Sequence, residues 1–550
     1  MNRIRQGMAL AMCCALGIFH VAVGQDTLHS PLTIPLKFSG NFGEIRTGHF
    51  HTGMDIRTEG KEGIPVLAAQ AGKVSRIKVS HRGYGLALYL DGGGLTTVYA
   101  HLSAFHPEIE SWLKNHQYRK EKWAYDGKPD MEFRFNRGDT LGWSGNTGGS
   151  SGPHLHFEVR DARNQHPINP LHWSFIGEGV AEDQIPPEFR GVWVVPEPGA
   201  TVEGAAERFK WTPAYAEGVR TAGPFSLGVE GFDRLAKDGF IHDPYGIDVW
   251  LGESLVHSHR MDTLDFSNNG DVSAHIDLPQ WQDRKGRVHR VQRLPGNRLD
   301  IYRKTSGVQP FVIAPGDSSR LRVSLLDIFG NTTDVAMWIH GDSVLTEQSD
   351  VGPEPLDRAQ SHHLVDGDME VDIPANALYA DAIVDVEQEG NRFRVESEAR
   401  RTQSDYTLTV PVPEDKVGSN ETLILCAVDG KGRVGGTWVA DERNGRLSAR
   451  LDRFGVFEVR VDTSPPVLGK PKLKQGVISI SVNDDLSGIS RWEGRCGDQW
   501  LRWSRDKSLL AYSLDDGMLE GKEDEEVKVW AIDNAGNIGH ITFRLRDLLP

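Results

Sequence analysis

Cysteine is scarce in this chain, with four in 550 residues, and two of them (Cys13 and Cys14) fall within the first 24. A disulfide framework is therefore excluded, and no pair has the short spacing of a zinc knuckle. Cys426 and Cys496 remain, far apart in sequence; they either pair in an oxidising compartment or stay as lone buried thiols. Long apolar runs are missing too. Nothing reaches the roughly 18 uninterrupted apolar residues of a membrane-spanning helix, so no transmembrane segment is expected after removal of the N-terminal signal described below. Basic residues are outnumbered, 61 Lys and Arg against 77 Asp and Glu, for a formal net charge of −16. A protein that neutralises phosphates needs a basic surface, so nucleic acid is not an expected partner. A His-Glu-x-x-His helix is also absent, which excludes the common helical zinc peptidases.

What is present reads as a soluble, multidomain, mainly β protein. Apolar residues make up 38% and charged residues 25%, and the length suits three or four domains of about 150 residues each. Sixty glycines and 28 prolines favour turns and short strands. The first 24 residues have the build of a secretory signal peptide: Arg3 and Arg5, a stretch from Met8 to Val23 that is apolar except for His20, and the small-residue exit Ala22-Val23-Gly24. Leu10-Ala11-Met12-Cys13 loosely resembles a lipobox, but Met12 is bulky and the apolar run continues past the cysteine, so lipidation is not expected. The protein is expected to be exported, to a periplasm or to the cell surface and beyond.

Residues 25–180 are expected to form one domain, an antiparallel β-sheet built from strands such as Gly72 to Val79, Leu86 to Leu90, Thr96 to Ala100 and His156 to Val159. An insertion at about 105–135 has Ile109, Trp112 and Leu113 at helical spacing. Ile185-Pro186-Pro187 marks a boundary, after which histidines thin out and strand-then-turn units recur. Leu321 to Leu326, Leu423 to Val428 and Val527 to Ile532 each run into an Asp/Gly turn, about 100 residues apart, the size of an immunoglobulin-like β-sandwich. Three sandwiches are expected: 186–345, 361–463 after a linker at 346–360, and 464–550. Trp492, Trp500 and Trp503 suit either a sandwich core or a sugar-stacking face. Asp484, Asp485 and the Asp-x-x-Gly-Asn turns suit either turn capping or calcium.

Three stretches of the first domain carry the chemistry: His49-Phe50-His51-Thr52-Gly53-Met54-Asp55, His101-Leu102-Ser103 and His154-Leu155-His156-Phe157-Glu158. On a strand, residues i and i+2 share a face, so His154 and His156 point together while Leu155 and Phe157 pack behind. His51 and Asp55 flank a glycine-containing turn and can converge. Two imidazoles and a carboxylate supply three ligands, and a catalytic zinc keeps its fourth position for water. Glu158 is expected on the same face as His156, as its partner or facing solvent. Gly148-Gly149-Ser150-Ser151-Gly152 formally matches a nucleophile elbow, but Pro153 and a strand follow where a helix is needed.

Together these stretches resemble the lysostaphin/LytM-type zinc metallopeptidases, through His-x3-Asp, the His-Leu-Ser segment and the run Gly145-Asn146-Thr147-Gly148-Gly149-Ser150-Ser151-Gly152-Pro153-His154-Leu155-His156-Phe157-Glu158. The resemblance covers roughly Phe38 to Leu171. It implies Zn2+ held by His51, Asp55 and His156, with zinc-bound water as nucleophile. It matches His154 and His101 to the two histidines beside the scissile bond, His154 as general base and His101 as oxyanion stabiliser, and leaves His49 outside the ligand set. The implied function is an endopeptidase acting on stem peptides or cross-bridges of peptidoglycan. A D-Ala to diaminopimelate cross-link is the expected bond and an oligoglycine bridge the alternative. A catalytically dead scaffold and a peptidase of secreted proteins are the other readings. The insertion is expected to wall the substrate groove, the trailing domains to hold a glycan or protein partner, and the chain to be monomeric.

Overall fold

The computed structural model describes residues 27–177, 183–237, 239–343, 353–416 and 421–549. The signal segment, with Cys13 and Cys14, lies outside them, as does the start of the expected linker. Leu356, placed in that linker from sequence, already pairs with Ala382 of the sandwich that follows. Among the described residues no helix is long and apolar enough to cross a membrane.

The first domain is built on an eleven-stranded sheet. Its main path runs Tyr125–Gly127, Gly72–Val79, Leu86–Gly92, Leu95–Phe105, His154–Asp161, Met54–Arg57 and Phe38–Gly40, each strand antiparallel to its neighbours. Alternation on the central strands sorts the two faces. Leu155, Phe157, Val159 and Tyr99 join the main core, with Leu88, Leu90 and Phe105. Their neighbours His156 and Glu158 lie opposite Ala100 and Val98 on the other face. The insertion carries a helix, Pro107–Lys120, whose Ile109 and Leu113 enter the core. His106 caps its first turn, and Glu121 ends it in the left-handed region at φ 46°.

Beyond residue 183 the chain is sheet against sheet. A four-stranded and a seven-stranded sheet share the core around Val192, Phe225, Val249 and Val323. Two five-stranded sheets enclose Tyr406, Phe393 and Phe457, and a five- and a four-stranded sheet enclose Trp503, Tyr512 and Val529. The strand-then-turn units of the sequence are the first arms of hairpins: Ser318–Leu326, Leu423–Val428 and Glu526–Asp533 each pair antiparallel with the next strand. Trp500 and Trp503 are buried rather than offered to a sugar. Cys426 and Cys496 are both buried and free.

These domains pack back onto the first. Phe42, Ile45 and Phe50 are buried with Met261, Val272, Leu278 and Ile301 of the second domain. The last sandwich docks on the insertion helix. The Tyr118 hydroxyl donates to Asp516 (2.9 Å), Arg502 donates to Gln117 (3.1 Å), and Trp492 meets Trp123 and His81 at ring separations of 5.9 and 5.1 Å.

Candidate metal centre

Strand register builds most of the site. His156 and Asp55 are directly opposite each other on antiparallel neighbours, so their side chains share a face; His154 is two residues before His156 on that face. His51 comes from the turn before Met54–Arg57 and is tied down by backbone bonds with Gly43 and Glu44. Gly53, between the two ligands, permits close approach. A Cβ there would lie 2.5 Å from Phe157 O, 2.7 Å from Glu158 Cγ and 3.0 Å from His156 Cε1. His101 needs a different device. Strict alternation would turn it into the core behind Ala100. A register shift between Leu86 and Leu88 leaves an extra residue on its strand, and His101 takes φ 61°. This bulge brings its ring to 4.7 Å from that of His154 and 5.8 Å from that of His156.

The outer hydrogen bonds fix where the protons sit. His51 Nδ1 donates to Asn41 O at 2.7 Å, which leaves Nε2 as a bare lone pair. His156 Nε2 donates to Glu158 Oε1 at 2.8 Å, which leaves Nδ1 bare. These two proton-free nitrogens are 3.0 Å apart, and Asp55 Oδ1 is 3.0 Å from each. With those tautomers three acceptor atoms converge with no donor among them, an arrangement that takes a cation, either a metal ion or a proton shared between His156 Nδ1 and Asp55. Tetrahedral zinc with bonds of about 2.0–2.1 Å has ligand atoms roughly 3.3 Å apart. The donor set and its spacing fit zinc.

Without a metal ion the electrostatics meet the same need for positive charge with a proton on His156. Burial opposes ionisation of Asp55, but the surrounding histidines outweigh it and hold the carboxyl well below its usual range. Burial lowers the pKa of His51. Burial also works against charge on His156, yet its hydrogen bonds to Asp55 and Glu158 push it up to about 9. The second oxygen of Asp55 accepts from Arg46, which also reaches Glu44, both at 3.0 Å.

Glu158 is fully buried, which decides between the two readings of it. Besides His156, its Oε1 accepts from Thr52 (2.7 Å) and Tyr84 (2.6 Å), and its Oε2 accepts from Arg160 Nε (2.6 Å). Burial would raise its pKa, but Arg160 and His156 outweigh that and lower it. The carboxylate thus orients a ligand through its other ring nitrogen. Sequence pattern placed its face but not Thr52 and Tyr84, which come from the loops before Met54–Arg57 and Leu86–Gly92, while Arg160 is on its own strand. His49 is exposed and bonds only its own loop, at Thr47 O, outside the cluster.

The two flanking histidines are also set by outer partners. His154 Nδ1 donates to Gly152 O at 2.8 Å, and its Nε2 lies 3.4 Å from Asp55 Oδ1. His101 Nδ1 donates to Thr147 O at 2.7 Å. Burial, with His156 and His154 nearby, pushes His101 down to about 3, so it is neutral with a bare Nε2. In that tautomer it is a proton acceptor, and it becomes an oxyanion donor only with a second proton or the other tautomer.

Comparison with known proteins agrees with this chemistry. Residues 49–118 match the family model described as Peptidase family M23, and residues 354–462 that described as Zu5-like domain. The first match contains His51, Asp55 and His101 and ends before His154. DD-carboxypeptidase/endopeptidase Mpg of Neisseria meningitidis serogroup B is 33% identical over 128 residues, 23% of this chain and 23% of that protein. Lysostaphin of Staphylococcus simulans is 27% identical over 183 residues, 32% of each chain. This chain therefore spans about a quarter to a third of those relatives' length. The solved structure of Csd3 from Helicobacter pylori is 28% identical, covering 26% of this chain and 34% of that one, with a TM-score of 0.19. On the sequence match and the cluster it contains, the N-terminal domain of this chain is similar to Peptidase family M23, of the lysostaphin/LytM type.

Proposed function

We propose that the protein is a zinc-dependent endopeptidase that hydrolyses peptide cross-links of bacterial cell-wall peptidoglycan after export. The observation that carries this reading is the meeting of three proton-free ligand atoms, His51 Nε2, Asp55 Oδ1 and His156 Nδ1, beside two histidines with free Nε2 atoms. Zinc bound there supplies a Lewis acid for the scissile carbonyl and lowers the pKa of a water toward about 7.

The chain's own residues do the rest. His154 Nε2 receives the proton of the attacking water, because Asp55 at 3.4 Å stabilises the imidazolium that forms. His101, buried and neutral, faces the same space and would hold the oxyanion in the tautomer that moves its own proton from Nδ1 to Nε2. Arg46 and Glu158 hold Asp55 and His156 in place. The names of Mpg, a DD-carboxypeptidase/endopeptidase, and of lysostaphin, an antimicrobial peptidase, support the choice of a peptidase. The Zu5-like domain and the two flanking sandwiches position the peptidase domain on its substrate or on a glycan or protein partner.

Digestion of purified cross-linked peptidoglycan by the mature protein, with fragments identified by mass spectrometry, tests this. Cross-linked dimers should disappear with zinc present, and persist with chelator or in His156→Ala. Loss of a terminal D-Ala from uncross-linked stems, with dimers intact, would replace the endopeptidase by a carboxypeptidase. No cleavage by folded, zinc-loaded protein would overturn the reading.

A further inference from the structure

We propose that His259, His275 and His289 form a second, buried site for a transition-metal dication such as zinc, which fastens the second domain to the loop presenting His51. All three imidazoles are at most 1% exposed, and one ring nitrogen of each lies within 4.8 Å of the other two. They arrive from separate elements: His259 from the strand Ser254–Arg260, His275 from the end of the short helix Val272–His275, and His289 from the strand Val288–Arg290.

Outer hydrogen bonds locate the protons of His257 and His259. His257 Nδ1 donates to Val291 O at 2.8 Å, so its Nε2 must accept, and it accepts from His259 Nδ1 at 2.9 Å. His259 Nε2 is then a bare lone pair in the interior with no hydrogen-bond partner. His275 Nδ1 is held by the Tyr302 hydroxyl at 2.9 Å, and its Nε2 lies 3.0 Å from His289 Nδ1, the same spacing as in the first centre. His289 Nε2 faces Asp243 Oδ1 at 3.8 Å, and both atoms are buried without a hydrogen bond. A carboxylate behind a histidine is the usual outer partner of a metal ligand. A purely hydrogen-bonded histidine cluster leaves the lone pair of His259 buried and unmatched, which is costly; a cation resolves it.

The position gives the site its role. The His275 ring packs edge-on against Phe50 at 5.7 Å, one residue before His51. Asp243 also accepts from Ile45 N at 2.8 Å, and Asn269 brackets the Phe50 backbone with bonds of 2.8 and 3.0 Å.

The test counts zinc on the full mature chain after saturation with Zn2+ and desalting. Wild type should hold two equivalents, His275→Ala one, and a His51→Ala/His156→Ala double variant one. X-ray absorption of that double variant should show its zinc in a shell of three imidazoles. One equivalent in wild type and none in the folded double variant overturns the proposal and leaves the first centre standing. One equivalent that survives the double variant and vanishes in His275→Ala does the reverse. The double variant leaves the second cluster intact, so the answer does not depend on His275→Ala folding.

Two carboxylate triads carry a separate inference, that each binds a hard dication such as calcium. Asp183, Asp233 and Asp327 converge where the chain enters the second domain, and Asp462, Asp484 and Asp533 where it enters the last. The two are built alike. Asn331 caps Asp327 and donates to Asp183 O; Asn537 caps Asp533 and donates to Asp462 O. In each triad two buried carboxylate oxygens have no hydrogen-bond partner: Asp183 Oδ2 and Asp233 Oδ1 in one, Asp462 Oδ1 and Asp484 Oδ1 in the other. Asp233 and Asp462 are each only 3% exposed. Carboxylate oxygens without donors suit calcium. Calorimetric titration of the full chain with Ca2+ should give two equivalents, with one lost in Asp233→Asn and one in Asp484→Asn. Without calcium, Asp233→Asn should melt higher than wild type, because a neutral amide relieves the repulsion. No heat and no shift in melting at about 10 mM Ca2+, well above the weakest extracellular modules, would overturn it.

Discussion

Glu158→Gln is the sharpest test of how the metal centre is held. The carboxylate accepts at one oxygen from His156, Thr52 and Tyr84, and at the other from Arg160. An amide of the same shape has one accepting oxygen and one donating nitrogen. If its oxygen faces His156, its NH2 meets the Arg160 guanidinium, donor against donor. If it is turned over, His156 Nε2–H loses its acceptor and the ring loses its tautomer. Either way Arg160, itself buried, loses its counter-charge. Removing one partner of a buried ion pair costs about 3–5 kcal/mol, and loss of the outer partner of a ligand histidine weakens metal binding about 10–100-fold. Zinc affinity measured by chelator competition should fall within that range, and the unfolding midpoint should drop in the metal-free protein too. Affinity within twofold of wild type, with unchanged stability, would refute the idea that Glu158 orients His156.

Three further outcomes follow from local geometry. In Gly53→Ala the new methyl collides with the carbonyl of Phe157 and the side chain of Glu158, so about 1–3 kcal/mol of stability and part of the zinc affinity should be lost; a fully stable, fully metallated variant would refute the close-approach argument. Glu44 is buried, and despite Arg46 and Arg287 its pKa is raised from 4.5 to about 7. Its contribution to stability is therefore fully present below pH 4.5 and lost as pH rises through 7, by up to about 3 kcal/mol. Denaturant titrations should show Glu44→Gln gaining on wild type between pH 5 and 8, and parallel curves would refute this. Asp516→Ala removes the acceptor shared by Tyr118 and Arg502, so the last sandwich should loosen from the insertion helix. Small-angle scattering should show a larger radius of gyration, and an unchanged profile would refute the docking role.

The ligands were legible because their relations are local. His154 and His156 share a strand face by parity, and His51 reaches Asp55 across one turn. His101 was legible only through the resemblance, since alternation alone assigns it to the core and a bulge with positive φ reverses that. The hairpins of the trailing domains showed in their strand-then-turn units, yet their docking did not. Trp123 and Trp492 meet from opposite ends of the chain, and no short-range pattern announces that. The second histidine cluster was missed for the same reason. Only His257-x-His259 has a strand signature, while His275 and His289 arrive from a short helix and a third strand. Histidines do thin out after residue 185, but five of those that remain gather between 242 and 289.

The loop before His51 therefore answers to two domains, which bears on any attempt to study the peptidase domain alone. Phe42, Ile45 and Phe50 are at most 3% exposed in the whole chain, and much of what covers them lies beyond residue 260. The Phe50 N–H finds its acceptor on Asn269, 219 positions later, and the Ile45 N–H on Asp243. A fragment limited to residues 27–177 would expose these side chains, at roughly 1.5–3 kcal/mol each, and free three backbone groups, the Ile45 N–H and the N–H and C=O of Phe50. That loss falls on the segment that aims His51, so the fragment should bind zinc at least tenfold more weakly than the full chain, a difference of about 1.4 kcal/mol. Chelator competition on the two proteins side by side measures it. Equal affinities would mean that the first domain fixes its metal ligands unaided and that the second merely rests against it.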